Sequence, residues 1–345
     1  FIPLEGTPQL LVRRNLQRAR RESNLPQIEP FPGWRELAEL IKEAAAPGAT
    51  LGMELDVLPV NLFRRYKNLL EPLKITDLSL PIRRLRAVKS PFELKQMKKS
   101  AKLGEAVFAH VREVCRAGMS EIELAAQLEA FVRTRGHQGA VRMRGFNQEM
   151  FYSHTMAGEN AAAPSFFDGA TGGCGLNPSY PQGAGTAKIK PGEPLLVDFV
   201  TVLGGYMVDQ TRIFCLGDPG KKLIKAQETA LRIKSALIEM GRPGANGADL
   251  YQKAFEMAGA GGLADHFMGA EEQVSFVGHG VGLELDELPV IARGLDVALV
   301  EGMVFALEPK FVFPGRGAVG IEDTFVVRPG GLEQITRFAD AIQIL

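Results

Sequence analysis

The sequence predicts an α+β fold, with a large domain of helices and antiparallel strands preceded by a smaller α/β domain. Two patterns and the length predict it. In residues 1–87 short strand-forming stretches alternate with helical ones, as in α/β units. In residues 88–345 helices and strands come in separate blocks, which is typical of α+β architecture. A chain of 345 residues is long enough for two domains, and we place the boundary after residue 87.

The small domain is expected to contain three strands and three helices. The strands are predicted at Gln9–Val12, Thr50–Glu54 and Lys74–Asp77, and the helices at Asn15–Glu22, Trp34–Ala46 and Asn61–Leu70. The chain begins with Phe1 and enters a strand almost at once, so we expect this domain to be incomplete at its N-terminus.

The large domain is predicted to begin with two capped helices. Ser90, Pro91 and Glu93 have the order of an N-cap, a first helical residue and a capping box. Ser120 and Glu123 repeat the capping box for a second helix that ends near residue 135.

A Gly- and Pro-rich loop is predicted over residues 158–185, followed by a hairpin, helices near 221–240 and 248–258, and a strand-rich C-terminus. We expect the loop to form a wall of a substrate cleft, with Phe166, Phe167 and Tyr180 as its apolar lining.

Two carboxylates lie in the otherwise apolar hairpin LLVDFVTVLGGYMVDQTRIF, residues 195–214. Gly204-Gly205 is a two-residue turn signal, and counting outward from it places Asp198 opposite Thr211. Asp209 lies two residues before Thr211, so both acids project from one face of the hairpin. Buried carboxylates need a cation or a strong hydrogen-bond donor.

The hairpin alone allows two interpretations: the acids bind cations together, or one pairs with Arg212 and the other is exposed at the turn. Further residues favour cations. His279 lies among glycines in FVGHGVGLELDELP, Glu308 ends the apolar strand of MVFALEPKF, and Glu322 lies in AVGIEDTFVV. Four carboxylates with one imidazole suit divalent ions such as Mn²⁺, Co²⁺, Fe²⁺ or Zn²⁺.

The order DFVTVLGGYMVDQTR, GHGVGLELDELP, ALEP and GIEDTFVV resembles metallopeptidase family M24. This is the family of the pita-bread fold, which includes aminopeptidase P, prolidase and methionine aminopeptidase. GMELDVLPVN and RRLRAVKSPFEL look like the second half of a creatinase-type N-terminal domain, which favours the Xaa-Pro branch. The resemblance implies a pita-bread catalytic domain over 88–345 and a partial creatinase-type domain over 1–87.

The resemblance also implies roles for the five residues. Asp198 would bind one metal in a bidentate manner, Asp209 and Glu322 would bridge two metals, and His279 with Glu308 would complete the second site. Glu308 would also move the proton of the bridging water. The expected protein is therefore an Xaa-Pro aminopeptidase or dipeptidase with two divalent ions, manganese first among them, acting on a peptide or dipeptide.

Three accessory positions depart from the family pattern. A second His usually follows the ligand His by seven residues, and here that residue is Asp286. Another usual His corresponds to Ser165 or Gln182, and a usual Arg corresponds to Gly320. We expect a rebuilt polar network around the substrate. His154, in YSHTMAGEN, is a candidate for a substitute catalytic role, with an ordinary structural histidine as the alternative.

These departures keep two alternatives open, a non-catalytic binding protein and a creatinase-like C–N hydrolase. Forty basic residues balance forty acidic ones, which argues against nucleic-acid or membrane partners. Three widely spaced cysteines, with no CxxC pair among them, lead us to expect a cytoplasmic protein. The resemblance implies a homodimer.

Overall fold

A computed structural model describes residues 1–46, 48–164 and 166–345, which form two compact units, Phe1–Ile82 and Arg83–Leu345. Among the described residues no helix has both the length and the apolar character that a bilayer span requires.

The first unit alternates short strands and helices, as the sequence predicts. In chain order the elements are β1 (Gln9–Val12), α1 (Leu16–Glu22), β2 (Gln27–Pro30), α2 (Trp34–Ala44), β3 (Thr50–Met53), α3 (Val60–Leu70), β4 (Lys74–Asp77) and α4 (Ser79–Ala87), the last of which runs past the unit's end. Strands β1 and β2 pair in parallel, and so do β3 and β4. Leu37, Ala38, Ile41 and Leu70 form the buried core.

All six predicted elements of this unit are present, with ends that differ by a few residues. Strand β2 and helix α4 were not predicted. Strand β2 buries only Ile28 of its four residues, so its sequence lacks the alternation that marks a strand.

The second unit begins with helices and is then dominated by strands. Its helices are α5 (Pro91–Val114), α6 (Glu121–Arg133), α7 (Lys221–Met240) and α8 (Gly247–Ala260). Two short 3₁₀ helices cover Gly158–Ala162 and Ala264–His266. Both predicted capping boxes are formed, at Ser90 with Glu93 and at Ser120 with Glu123.

The strands of the second unit are β5 (Ser153–Ala157), β6 (Pro194–Phe199), β7 (Thr201–Leu203), β8 (Tyr206–Val208), β9 (Thr211–Cys215), β10 (Phe276–Gly280), β11 (Glu287–Ala292), β12 (Val304–Leu307), β13 (Lys310–Phe313), β14 (Gly317–Gly320), β15 (Asp323–Arg328), β16 (Gly331–Gln334) and β17 (Gln343–Ile344). One sheet has the order β17-β9-β6-β5 and a second has the order β11-β10-β12-β15-β16. Strands β7 and β8 form one separate antiparallel pair, and β13 and β14 form another.

The two larger sheets meet where the predicted metal ligands lie. An antiparallel bridge joins Thr211, at the start of β9, to Glu322, just before β15. The breaks between β8 and β9, between β12 and β13 and between β14 and β15 each carry one acid: Asp209, Glu308 and Glu322. Irregular backbone at the junction of two sheets therefore turns these side chains toward a common centre.

Candidate metal centre

The hairpin has the predicted register. Gly204 and Gly205 both have positive φ, 58° and 83°, as a tight two-residue turn requires. Asp198 on β6 pairs with Thr211 on β9. Arg212 does not pair with a hairpin acid. Its guanidinium donates to Asp323 at 2.9 Å and to Asp340 at 3.2 Å, so the ion-pair interpretation of the hairpin is wrong.

His279 on β10 faces three carboxylates through Nε2. The distances from Nε2 are 3.8 Å to Asp209 Oδ2, 3.7 Å to Glu308 Oε1 and 3.6 Å to Glu322 Oε1. Two ligand atoms about 2.1 Å from one ion at a tetrahedral angle lie about 3.4 Å apart, so a small contraction suffices for coordination. We call these four residues the His279 half of the cluster.

The donor atoms of the His279 half also have the chemistry that a divalent cation needs. Glu322 Oε1 is buried and has no hydrogen-bond partner among the described residues, which is costly unless a cation is bound. His279 Nδ1 lies 3.1 Å from the carbonyl oxygen of Leu285 and 3.2 Å from that of Gly280. A carbonyl only accepts, so Nδ1 carries a hydrogen. Burial acts to lower the pKa of His279, but contacts with Glu322, Asp286 and Glu308 outweigh it and raise that pKa well above its ordinary value, so a metal ion at Nε2 would displace a proton. The residues present fit a divalent ion.

Lys310 lies on the other side of the same carboxylates, and the sequence analysis gave it no role. Its Nζ donates to Asp198 Oδ2 at 3.0 Å, to Glu308 Oε2 at 2.9 Å and to Glu322 Oε2 at 2.7 Å. Only 3 % of its side chain is exposed. We call Lys310 and Asp198, with these two glutamate oxygens, the Lys310 half of the cluster.

Burial and neighbouring charge shift the pKa values of these groups. Burial raises the pKa of Glu308 to about 7, although Lys310 opposes the shift. Burial and the charges of Glu322 and Asp198 raise the pKa of Asp209 well above its ordinary value. For Glu322 burial acts upward, but Lys310 and His279 outweigh it and hold the pKa at about 2. The cluster has more acidic groups than positive charges, so the raised pKa values of Asp209 and Glu308 favour protonated acids in the metal-free protein. A metal ion can displace these protons.

Asp286, at the position of the family's usual second histidine, lies beside His279. Its Oδ1 lies 3.4 Å from Nδ1 of His279, and 52 % of its side chain is exposed. A carboxylate behind a ligand imidazole orients the ring and strengthens it as a ligand. Asp286 therefore lies next to His279, the candidate metal ligand.

His154 lies next to the cluster. On β5 it is directly across from Asp198 on β6, and its buried Nε2 has no hydrogen-bond partner among the described residues. Burial lowers the pKa of His154, so the ring is neutral near pH 7. Gln182 is buried and its amide donates to the Glu149 carbonyl at 2.8 Å. Ser165, the other candidate for this position, lies outside the described residues.

Gly320 pairs with Lys310 across β13 and β14. A Cβ at position 320 would lie 2.5 Å from the Pro309 carbonyl oxygen and 2.6 Å from Lys310 Cα. The position where the family usually has Arg is therefore closed to any side chain. The positively charged side chain lies on the facing strand β13, at Lys310.

A cavity of about 1110 Å³ is lined by the Gly-rich loop, and none of the six cluster residues is among its lining residues. Phe166 and Phe167 line it, together with Val290, which pairs with His279, and Val312, two residues after Lys310. Tyr180 is not among its lining residues; its ring packs against Phe151, with ring centres 4.6 Å apart.

Carboxylates and an imidazole that converge at the junction of two sheets are typical of a metal-dependent hydrolase. The profile of metallopeptidase family M24 matches residues 95–329, and the profile of the creatinase/prolidase N-terminal domain matches residues 1–88. The chain belongs to metallopeptidase family M24, and its second unit has the pita-bread fold that the sequence predicts.

Relatives and solved structures agree with the family. The chain is 29% identical over 322 residues to an Xaa-Pro dipeptidase of Pyrococcus furiosus, covering 92% of this chain and 81% of the relative. It is 27% identical over 313 residues to an Xaa-Pro dipeptidase of Lactobacillus delbrueckii, covering 90% and 77%. The structure of an Xaa-Pro dipeptidase from Bacillus anthracis matches with a TM-score of 0.81 at 26% identity, covering 96% and 84%.

Proposed function

We propose that this protein hydrolyses short peptides with proline after the scissile bond, as an Xaa-Pro dipeptidase. The observation that carries the proposal is the convergence of His279 Nε2 with oxygens of Asp209, Glu308 and Glu322 at 3.6–3.8 Å. Similarity to proteins named Xaa-Pro dipeptidases supports the substrate class.

The His279 half would hold a divalent ion, for which manganese remains our first expectation and cobalt, zinc and iron the others. Such an ion, when bound, lowers the pKa of a water molecule and polarises the scissile carbonyl. The expectation of a second ion remains a prediction. In the other half of the cluster, Lys310 Nζ lies 2.7 Å from Glu322 Oε2.

Glu308 is proposed to move the proton. Its Oε1 lies 3.7 Å from His279 Nε2, beside the position of the proposed ion, where the carboxylate would accept a proton from the attacking water and return it to the leaving nitrogen. Asp286 would keep the His279 ring in position through Nδ1. It is a positioning residue rather than a group that touches substrate.

His154 is proposed to donate a hydrogen bond to the substrate or to the developing oxyanion. Its buried Nε2 lacks a partner, and its ring lies across from Asp198. The variant His154→Ala should lose turnover by about 10²-fold, as for other single oxyanion donors. The control His110→Ala, on helix α5, should keep full turnover. Full turnover in His154→Ala would remove His154 from the mechanism.

A panel of Xaa-Pro dipeptides and tripeptides, assayed with Mn²⁺ and with EDTA, tests the function. We expect dipeptide hydrolysis that EDTA abolishes and Mn²⁺ restores. Full metal occupancy without turnover would favour the alternative of a binding protein, which the replacements at Asp286 and Gly320 support. Turnover of a guanidino compound without metal would favour the creatinase-like alternative. A homodimer, a cytoplasmic location and a domain boundary after residue 87 remain predictions.

A further inference from the structure

The carboxylate oxygens of the cluster are divided between two cation positions. Glu308 and Glu322 each turn Oε1 toward His279 Nε2 and Oε2 toward Lys310 Nζ. Asp209 completes the first position and Asp198 completes the second. The two halves therefore share two glutamates but use different oxygens of each.

The Lys310 half already has its cation. An ammonium group has three N–H donors, and three carboxylate oxygens lie 2.7–3.0 Å from Nζ. The contacts thus use all of its donors. A divalent ion in this half would have to bind the same oxygens and would lie against the ammonium charge, which repels it.

The backbone also holds Lys310 in this position. Lys310 is the first residue of β13 and pairs with Gly320 on β14. A Cβ at Gly320 would lie 2.9 Å from Lys310 Cγ, so the lysine stem occupies the space that a side chain at 320 would take. Sheet register thus fixes the lysine backbone and the start of its stem, and the ion pairs hold the ammonium.

We propose that Lys310 permanently replaces one of the two divalent ions, so that the protein binds one divalent ion per chain, in the His279 half. The inference rests on the proposed function, because it takes the His279 half to be a metal site. Lys310 would then neutralise Asp198 and fix the orientation of Glu308 and Glu322 toward the single ion.

Metal content measured on the intact chain tests the inference. The protein is stripped with chelator, loaded with Mn²⁺, dialysed, and analysed by inductively coupled plasma mass spectrometry and electron paramagnetic resonance. We expect one Mn²⁺ per chain, with the hyperfine pattern of an isolated ion. Lys310→Met should bind two Mn²⁺ with the broadened spectrum of a coupled pair. Lys225→Met, at an exposed lysine of α7, should bind one.

The outcomes separate this inference from the proposed function. Two ions in the unaltered protein would overturn the inference and leave the proposed function standing. No bound ion would overturn both. A single ion in Lys310→Met would show that Lys310 is not what excludes the second ion. Should Lys310→Met fail to fold, the count and the spectrum of the unaltered protein still decide the inference.

Discussion

Gly320 controls the position of Lys310, and Gly320→Ala should show it. The new Cβ would lie 2.5 Å from the Pro309 carbonyl oxygen and 2.6 Å from Lys310 Cα. Both are backbone atoms, so no side chain can rotate away to relieve the overlap. Strands β13 and β14 have to separate, and this displaces Lys310 from its carboxylates.

The cost can be worked from the overlap. Forcing a methyl group into a packed interior costs about 1–3 kcal/mol, and a domain of this size loses about 2–4 °C of Tm for each kcal/mol. We therefore expect a fall in Tm of about 2–12 °C for Gly320→Ala by scanning calorimetry. The matched control is Gly330→Ala, where a Cβ meets no atom within 4 Å. Equal Tm values for the two variants would refute the steric reasoning.

Three further predictions concern the stability of a buried ion pair, the pH dependence of metal binding and the role of Asp286. Glu287 pairs with Lys89 at 2.7 Å while only 1 % of the lysine side chain is exposed, so Glu287→Gln should lose about 3–5 kcal/mol in urea unfolding. Glu333→Gln, at an exposed pair, should lose at most about 1 kcal/mol, and a similar loss in both variants would contradict the reasoning. Burial raises the pKa of Glu308 to about 7, so below that pH a metal ion has to displace a proton from this carboxyl group. The affinity for Mn²⁺, measured by titration calorimetry, should therefore fall at least about tenfold for each pH unit below 7. A flat pH profile would contradict this. Asp286→His removes the carboxylate 3.4 Å from His279 Nδ1, so Xaa-Pro turnover should fall, and a rise in turnover would show that position 286 acts on the substrate rather than on the ring.

The two hairpin acids could be predicted as candidate metal ligands because local rules fix the register of the hairpin. Gly204-Gly205 sets the hairpin register, and alternation then places Asp198 opposite Thr211. Acids within apolar strands point to cations because burial without a partner is costly. The order of motifs identified the family, which the profile matches confirm.

Lys310 and Asp286 could not be assigned in the same way. A lysine at the start of a strand is usually exposed. The burial of Lys310 depends on its pairing with Gly320 in β14. The contact of Asp286 with His279 depends on how residues 281–285 return the chain to the end of β10. Both contacts are tertiary, so neither propensity nor period reveals them.

An anomalous difference map from crystals grown with Mn²⁺ would show whether the four side chains of the His279 half bind the ion. We expect a peak bound by His279 Nε2 and by oxygens of Asp209, Glu308 and Glu322, at about 2.0–2.2 Å. A map with no peak among these four side chains, at a manganese concentration that supports peptide hydrolysis, would contradict it.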